Sequence, residues 1–371
     1  MRVAIDGRYV QDHFPGIGRY TYNLVRALAA LGQGAEWLVI TNPRLANTRY
    51  DLSALGAQRE VHLAPCDVGT FSLREQTALP RMVAHMRVSL LHSPYYVKPF
   101  RLPVPSVLTY HDVIGLVCPS SLPSARARVL FRLLSHLALA SAARVILPSR
   151  SAQRDVARYF GVPEGKSTVI YEGADPQFHP QPAEVVERVR RKYGLDGPYA
   201  LYVGINKPHK NVETLVEAWA RARPQATLVL AGREDPRYPQ ARQRVVALGL
   251  EGRVRFLGDV PEADLPALYT GAALFAFPSL YEGFGLPVLE AMACGAPVVS
   301  SNAASLPEVV GDAGPLLPPL DVEAWAATLA GLLDDAPALE AMRLRSLARA
   351  GEFSWDKAAR ATLAVYQEVA L

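Results

Sequence analysis

The sequence has few cysteines, no long apolar run and little excess charge of either sign. Its three cysteines, Cys66, Cys118 and Cys294, are too few and too scattered for a disulfide framework or a metal site. No uninterrupted apolar stretch reaches the length of a membrane span, and the opening MRVAIDGRY meets Asp6 and Arg8 too early for a signal peptide. We therefore expect a cytoplasmic protein without a leader or a membrane span.

The charge balance argues against a nucleic-acid partner. The formal net charge is only +4 and no long block of like charge occurs, whereas a mild basic excess suits small anionic ligands. The most basic stretch, residues 126–144, mixes arginines with leucines. We expect it to form a core helix with a solvated basic face. The alternative is a helix that lies on anionic lipid, a peripheral contact at the inner face of the membrane.

The pattern of apolar runs predicts two α/β domains. A chain of 371 residues exceeds the usual size of one hydrophobic core. Short runs rich in Val, Leu and Ile alternate with helix-length segments, which is typical of parallel sheets whose strands are buried on both faces. The predicted strands are 2–6, 37–40, 88–92, 106–110, 144–149 and 168–173 in the first half, and 199–204, 227–232, 254–258, 273–279 and 297–301 in the second. A helix is predicted over 20–31.

A stretch dense in Pro and Gly after Tyr171 breaks both periodicities and indicates a linker. We predict an N-terminal Rossmann-like domain over 1–176, a C-terminal one over 177–354, and a closing helix over 355–371 that joins the first domain. The two domains are expected to face each other across a cleft.

The most informative segment is PSLYEGFGLPVLEAMACGAPVVSS at 278–301. A buried strand ends at Pro278, and a loop with Gly283 and Gly285 allows the backbone to approach a ligand closely. A helix then begins at Leu286, with Pro287 in its first turn, where proline is tolerated. Ligands of such sheets bind at the carboxyl ends of the strands, and free amides at a helix N-terminus attract phosphate.

Two carboxylates and one cation accompany this segment. Glu282 lies in the loop and Glu290 about one turn into the helix, so both are expected to face one crevice. Carboxylates accept hydrogen bonds from hydroxyls, which a nucleotide sugar carries on its ribose and its hexose. The diphosphate needs a cation, and Lys210 follows the strand 199–204 at the matching end of a neighbouring strand.

The run of Glu, seven residues and Glu at 282–290, inside EGFGLPVLEAMACGAPVV, resembles the signature of the family 4 retaining glycosyltransferases with the GT-B fold. Further segments follow in the family's order across the chain: DGRYVQDHFPGIGRYTYNLVRAL, YHDV, PSRSAQRDV, YVG with KN, AG at 231–232, FLGDVP and FSWDKAA. The resemblance implies transfer of a hexose from a nucleotide-diphosphate sugar to a hydroxyl of a glycan or lipid-linked acceptor. No cofactor is expected, and no metal either, because no Asp-x-Asp triplet and no His or Cys cluster occurs.

The resemblance assigns roles in the second half of the chain. Glu282 would hold donor sugar hydroxyls, Glu290 would hold ribose hydroxyls, and Lys210 would neutralise the leaving diphosphate. The other donor-binding candidates are Gly204, His209, Arg233, Val260, Glu262, Phe284, Gly285 and Leu286. His209 stands where family members commonly carry an arginine. The diphosphate clamp would therefore contain one permanent cation, Lys210, supplemented by Lys207 or Arg233.

The first half of the chain supplies weaker candidates. Gly16 and Gly18, in the loop after the first strand, would close over the diphosphate, with an ordinary tight turn as the alternative. His111 emerges at a strand end and would contact the donor sugar. The acceptor candidates are Arg8, Arg19, Asp112 and Ser149. For Ser149 a helix cap is the preferred interpretation, and for the two arginines a solvated or helix-end role is the alternative.

The donor is expected to be GDP-mannose, because Glu262 can accept two hydrogens from guanine and the opening DGR with GIGRY resembles bacterial mannosyltransferases. UDP-glucose and UDP-N-acetylglucosamine stay open, as do a sugar-nucleotide epimerase of the same architecture and a non-catalytic glycan-binding subunit. A NAD-dependent dehydrogenase is disfavoured because no GxGxxG promptly follows the first strand. We expect Glu282→Ala or Lys210→Ala to abolish transfer with little loss of fold.

Overall fold

A computed structural model describes residues 1–122 and 124–370, which fall into two compact units. Unit 1 comprises Met1–Leu116, Leu122–Glu172 and Ser354–Leu371, and unit 2 comprises Val117–Ser121 and Gly173–Phe353. The chain passes from unit 1 to unit 2 between residues 172 and 173 and returns between residues 353 and 354. The sequence predicted these two boundaries at 176/177 and 354/355. Leu371, the predicted end of the closing helix, lies outside the described residues, as does Pro123.

Unit 1 is built on a seven-stranded parallel sheet in the order β3-β2-β1-β4-β5-β6-β7. Its strands are β1 Arg2–Asp6, β2 Glu36–Thr41, β3 Val61–Pro65, β4 Leu90–Ser93, β5 Ser106–Thr109, β6 Arg144–Leu147 and β7 Ser167–Val169. The accompanying helices are α1 Pro15–Ala30, α2 Leu52–Gly56, α3 Glu75–Met86, α4 Ile114–Val117, α5 Ala125–Ser141 and α6 Arg150–Phe160. The sequence missed β3 because its burial alternates irregularly and it contains no continuous apolar run.

Unit 2 is built on a six-stranded parallel sheet in the order β10-β9-β8-β11-β12-β13. Its strands are β8 Tyr199–Val203, β9 Thr227–Ala231, β10 Val254–Gly258, β11 Leu274–Phe277, β12 Val298–Ser301 and β13 Leu316–Leu317. Its helices are α7 Ala183–Tyr193, α8 Val212–Ala222, α9 Gln240–Ala247, α10 Leu265–Gly271, α11 Leu286–Ala293, α12 Leu306–Val310, α13 Val322–Leu333 and α14 Ala336–Ala350. Strand β13 was not predicted because two residues are too few to show a period.

Each sheet reverses its strand order beside its first strand. β1 lies between β2 and β4, and β8 lies between β9 and β11. At such a switch point the two adjoining connections leave towards opposite faces, which opens a crevice at the carboxyl ends of the strands. In unit 2 the segments that follow these ends are 204–211 and 278–285. The fold therefore brings together the two loops that carry Lys210 and Glu282.

The last helix, α15 at Trp355–Ala370, completes the core of unit 1. Trp355, Ala359 and Tyr366 are buried in one cluster with residues of β1, β2 and α1. The Tyr366 hydroxyl lies 2.5 Å from Nδ1 of His92 on β4. Burial lowers the pKa of His92 to about 3, so this ring is neutral at physiological pH. The chain thus returns to unit 1 with this helix.

Helix α5 differs from the expectation for residues 126–144. Phe131 and Ala138 are buried against the unit, and the basic residues are exposed as expected. Four apolar side chains also lie on the exposed side, namely Val129, Leu130, Leu133 and Leu137. The predicted core helix with a solvated basic face is therefore present, and its exposed side also carries apolar residues, which was not predicted. None of the helices in the described part of the chain is long and apolar enough to cross a bilayer.

Candidate functional site

A largely buried ion pair lies at the switch point of unit 2. Lys210 Nζ is 2.7 Å from Glu282 Oε1, and each side chain is only 13% exposed. The ammonium also lies 5.2 Å from the ring centroid of Phe277, where the negative face of the ring attracts it. Burial alone would raise the pKa of Glu282, but the Lys210 charge outweighs it and holds this pKa below its usual range. Glu282 is therefore ionised at neutral pH.

Hydrogen bonds join the two loops that carry this pair. The Leu280 amide donates to the His209 carbonyl at 2.7 Å. Asn211 donates from its side chain to the carbonyls of Pro278 at 3.0 Å and Pro319 at 2.7 Å. Asn211 has a φ of 55°, a left-handed conformation that asparagine tolerates better than most residues. The loop after β8 is thus fixed beside the loop after β11.

Three serines that the sequence analysis did not single out hold the Glu282 loop. Ser279 Oγ lies 2.6 Å from Glu282 Oε1, and Ser301 Oγ donates to the Ser279 carbonyl at 2.5 Å. Ser305 Oγ lies 2.9 Å from the Glu282 carbonyl and 2.7 Å from that of Phe284. For Ser279 and Ser301 the signal available in the sequence was their position at the carboxyl ends of two predicted strands, whereas Ser305 had no such signal. Small hydroxyl side chains there can satisfy the carbonyls of a tight loop.

Helix α11 begins directly after this loop. Gly285 has a φ of +111°, a conformation that residues with a Cβ rarely adopt, and an added Cβ would lie 2.8 Å from Leu306 Cδ2. Within the described residues, the amides of Gly285 and Leu286 donate no hydrogen bond to the protein. Free amides at a helix N-terminus carry partial positive charge and bind anions. Phe284, Gly285 and Leu286 therefore lie where an anion could dock.

Glu290 differs from Glu282 in its exposure. Its residue is 2% exposed, and Oε2 accepts a hydrogen bond from the Tyr269 hydroxyl at 3.2 Å. The expectation that both carboxylates face an open crevice therefore fails for Glu290 in this structure. The reason is that α11 packs this side chain against α10, where a tyrosine hydroxyl satisfies it.

His209 precedes Lys210 and is 6% exposed. Burial, aided by the Lys210 charge, lowers the pKa of His209 to about 4, so the ring is uncharged at neutral pH. Its Nδ1 is buried, and no group in the described part of the chain forms a hydrogen bond with it. His209 therefore adds no positive charge to this loop at neutral pH, and the loop's cations are Lys207 and Lys210.

The remaining donor candidates follow β8, β9 and β10. Gly204 and Gly232 approach so closely that a Cβ on Gly232 would lie 2.3 Å from the Gly204 carbonyl oxygen. Arg233 is exposed, Val260 is 9% exposed and Glu262 is partly exposed. A small pocket borders this region and is lined in part by Gly204, Gly232, Glu234 and Arg242. Lys210 and Glu282 do not line it.

In unit 1, His111 follows β5 and is held by two oxygen atoms. Its Nε2 lies 3.0 Å from the Pro94 carbonyl, and its Nδ1 lies 3.4 Å from Glu172 Oε1. Both ring nitrogens thus face oxygen atoms, and the two contacts fix the orientation of the ring. Glu172, at the end of unit 1, was not predicted. Asp112 accepts a hydrogen bond from the Ile114 amide at 2.8 Å and so begins α4.

Arg8 was predicted to bind the acceptor, with a solvated or helix-end role as the alternative, and the structure shows that its side chain is neither solvated nor open to a ligand. Its side chain is 0% exposed and lies 2.7 Å from Asp6 Oδ2 and 3.5 Å from Glu75 Oε1. A third donor reaches the Val68 carbonyl at 3.1 Å. Burial raises the pKa of Glu75 to about 7 although Arg8 opposes the shift. Arg8 therefore stabilises unit 1 from inside.

The other first-half candidates lie on or at helices. Gly16 and Gly18 are in the first turn of α1 rather than in a loop, because the helix begins at Pro15, whose missing amide hydrogen is no loss there. A Cβ on Gly18 would lie 3.0 Å from the Tyr9 carbonyl oxygen, whereas one on Gly16 would meet nothing within 4 Å. Arg19 is a partly exposed residue of the same helix.

Ser149 is fully buried and caps α6, accepting a hydrogen bond from the Ala152 amide at 3.0 Å. It is a helix cap in this structure, and its acceptor role is not carried further. Across residues 1–122 and 124–370, no group of three or more His, Cys, Asp or Glu side chains is arranged to hold a metal ion.

The chain matches two protein-family models and is similar to several known proteins. Residues 15–178 match the family model "Glycosyltransferase Family 4", and residues 197–335 match "Glycosyl transferases group 1". The chain is 34% identical to O-antigen chain mannosyltransferase B of Escherichia coli, covering 99% of this chain and 100% of that protein. It is 33% identical to the serotype-specific mannosyltransferase WbdA of Escherichia coli over 57% of this chain and 27% of that protein.

A solved structure has the same architecture. Sucrose-phosphate synthase from Thermosynechococcus elongatus has a TM-score of 0.77 with 25% identity, covering 99% of this chain and 98% of that one. The two parallel-sheet units are therefore those of the GT-B fold, as the sequence predicted.

Proposed function

The chain belongs to the family 4 glycosyltransferases, and on that premise we propose that it transfers mannose from GDP-mannose to a hydroxyl of a glycan or lipid-linked acceptor. The observation that carries the proposal is the Lys210–Glu282 ion pair beside the free amides of α11. The geometry offers a cation and amides for a diphosphate, and a carboxylate for sugar hydroxyls, at one switch point.

Donor binding would exchange the partners of this ion pair. The diphosphate docks on the Gly285 and Leu286 amides, and the Lys210 ammonium turns from Glu282 to a phosphate oxygen. Glu282, already ionised, then accepts hydrogen bonds from the sugar hydroxyls. Neither carboxylate nor ammonium is left unpaired in the exchange, so the charged groups stay satisfied while buried.

The reaction we propose breaks the bond between sugar C1 and the β-phosphate oxygen and forms a bond between C1 and the acceptor oxygen on the same face. The acceptor proton passes to an oxygen of the departing phosphate, so that GDP leaves and the anomeric configuration is retained. Lys210 and the amides of α11 stabilise the charge that develops on the leaving group. Fixed donors of this kind contribute roughly 10²–10³ in rate each.

The choice of mannose is supported by the two relatives, both mannosyltransferases by name. The choice of GDP is supported by Glu262, a partly exposed carboxylate after β10 that can accept the guanine N1 and N2 hydrogens. Arg233, Val260 and Gly204 would border the base and ribose from the neighbouring strand ends. We assign Glu290 to the ribose hydroxyls, which requires that its hydrogen bond with Tyr269 open or be shared.

Unit 1 is assigned to the acceptor. His111, fixed between Pro94 and Glu172, would present its ring to the donor sugar, and Gly16 would allow the diphosphate to approach α1 without steric hindrance. Asp112 and Arg19 remain the acceptor candidates, because Arg8 and Ser149 are buried. We further propose that the enzyme acts in the cytoplasm at the inner face of the membrane, where a lipid-linked acceptor is accessible.

The test is a transfer assay with the purified full chain, a mannosylated lipid-linked acceptor, and GDP-mannose, UDP-glucose or UDP-N-acetylglucosamine as donor. We expect a glycosylated product from GDP-mannose alone, with an α-linked sugar by proton NMR and an unchanged rate after chelation of divalent metals. An epimerised sugar in the absence of acceptor would favour the epimerase. An inverted product, or transfer from a UDP-sugar only, would overturn the mechanism or the donor respectively.

A further inference from the structure

Helix α5 presents a row of apolar side chains to solvent, which we call the leucine face: Val129, Leu130, Leu133 and Leu137. Their exposed fractions are 70%, 53%, 52% and 37%. Successive members of this set are one, three and four residues apart, which places them on adjacent turns of one side of the helix. Single exposed apolar residues are ordinary, but four neighbours form a contiguous patch that calls for a partner.

The leucine face is not the side by which α5 attaches to unit 1. That side is formed by Phe131, Ser135 and Ala138, which are buried. The Tyr110 hydroxyl donates to Ser135 Oγ at 2.9 Å, and the Phe131 ring packs edge-on against Tyr96 with centroids 4.9 Å apart. The helix is therefore already anchored in its unit, and the leucine face is additional apolar surface.

The formally charged side chains of α5 itself are all of one sign. Arg126, Arg128 and Arg132 are exposed on the same helix, and no ion pair joins them to another residue in the described part of the chain. From Val113 to Arg154 the sequence contains no Asp or Glu at all. A basic helix with an exposed apolar stripe is complementary to a surface that is apolar beneath an anionic layer.

We propose that the leucine face docks into the headgroup and acyl boundary of a membrane that contains anionic lipids, with the three arginines on the lipid phosphates. The protein is thereby held at the bilayer by one face of unit 1 without spanning it. A second copy of this chain is a poorer occupant, because pairing two such faces would bring six arginines together without a counterion. The inference rests on α5 alone and not on the identity of donor or acceptor.

The experiment is co-sedimentation of the full chain with vesicles of phosphatidylcholine alone or mixed with phosphatidylglycerol. The test variant is Leu130→Ser/Leu133→Ser. Its matched control is Val246→Ser/Leu344→Ser, which removes two apolar side chains of unit 2 that are 58% and 62% exposed. We expect the wild type to bind the anionic vesicles and the test variant to bind them at least about tenfold more weakly. The control should bind within about twofold of the wild type.

A second variant, Arg128→Gln/Arg132→Gln, removes charge without touching the apolar patch. Each basic residue near an anionic surface is worth about fivefold in binding, so we expect a loss of roughly 25-fold that disappears at high salt. Thermal unfolding midpoints identify any variant that fails to fold. If the serine variant fails to fold, the arginine variant decides the outcome. Equal sedimentation of wild type and variants, no binding of the wild type, or a dimer in sedimentation velocity that the serine variant dissociates would each overturn the proposal.

Discussion

At the scale of residues, the candidate site of unit 2 sets one largely buried cation against one largely buried carboxylate. The side chains of Lys210 and Glu282 are each 13% exposed, so water alone cannot solvate either charge and each needs the other as its partner. Such a pair contributes little net stability over an apolar pair, but removal of one partner leaves the other charge largely buried. Function and stability are therefore coupled at these two residues.

We predict that Lys210→Met lowers the transfer rate by roughly 10³ and the free energy of unfolding by about 2 kcal/mol, since Glu282 loses its cation while remaining largely buried. The double variant Lys210→Met/Glu282→Gln should be equally inactive but regain most of the stability. This revises the expectation that single alanine variants leave the fold almost unchanged. Initial rates with GDP-mannose and unfolding in guanidinium chloride measure the two effects.

The control for this prediction is Arg221→Met, which removes one partner of the exposed Arg221–Glu323 pair. An exposed pair is worth well under about 1 kcal/mol, so stability and rate should both stay close to wild type. A Lys210→Met protein that transfers mannose at the wild-type rate would remove Lys210 from the mechanism.

In unit 1, one guanidinium faces two carboxylates. Arg8 pairs closely with Asp6, so Glu75 at 3.5 Å is not fully compensated, and its burial raises its pKa to about 7 from about 4.5. A raised carboxyl pKa means that the folded state holds the proton more tightly. The stability this provides is fully present below pH 4.5 and is lost as the pH rises through about 7.

We therefore predict that Glu75→Gln removes a pH dependence. Relative to the variant, the wild type should lose roughly 1–3 kcal/mol of unfolding free energy between pH 5 and pH 8. Urea unfolding of both proteins at the two pH values measures this loss. Parallel stability profiles would show that Glu75 is ionised throughout.

Sequence patterns could locate these residues only in part. Spacing placed Lys210 and Glu282 at matching strand ends, because strand direction in a parallel sheet fixes which ends meet. It could not show that Glu75, on a helix far along the chain, contacts Arg8, since that pairing depends on how α3 packs against the end of β1. For the same reason it predicted that Arg8 binds the acceptor, or has a solvated or helix-end role, and not that two carboxylates enclose its side chain.

At the scale of elements, the function we propose depends on where α11 begins. The start of this helix at Leu286 was predicted correctly, because Gly, Pro and the following apolar run mark it. The start of α1 was predicted five residues late, since the apolar periodicity begins only after the Pro-Gly segment that opens the helix. Periodicity thus locates a helix well only where its first turn is apolar.

We predict that Gly285→Ala raises the KM for the donor at least about tenfold. An alanine at a φ of +111° is strained by at least about 1–2 kcal/mol, and the loop relieves this by moving the amides of α11. The control is Gly331→Ala in α13, where an added Cβ meets no atom within 4 Å and helix propensity improves. Donor titrations of both variants provide the comparison, and an unchanged KM in Gly285→Ala would argue against amide recognition of the diphosphate.

At the scale of the whole molecule, the chain crosses between its two units and returns to the first. Length and the Pro-rich linker predicted two domains and the return of the closing helix. They did not predict that Val117–Ser121 belongs to unit 2. A segment of five residues carries no sequence pattern that shows which domain it contacts. Unit 1 is complete only with α15, whose Tyr366 is fully buried.

We predict that Tyr366→Ala destabilises unit 1 by about 3–4 kcal/mol, through the cavity it leaves and the lost hydrogen bond to His92. Amide hydrogen exchange followed by mass spectrometry should show faster exchange in peptides of unit 1 and unchanged exchange in most of unit 2. Leu344→Ala, at a 62% exposed position of α14, is the control. Equal acceleration in both units would mean that they unfold as one.

The central claim is that a nucleotide diphosphate docks on the opening turn of α11 with Lys210 and Glu282, and thermal unfolding with added nucleotides tests it most directly. A ligand at about 100 times its Kd adds about 2.7 kcal/mol to the stability of the folded state. We predict that GDP raises the unfolding midpoint of the wild type by several degrees, that UDP and ADP raise it less, and that Lys210→Met/Glu282→Gln shows no shift. A GDP shift of equal size in that double variant would contradict the claim.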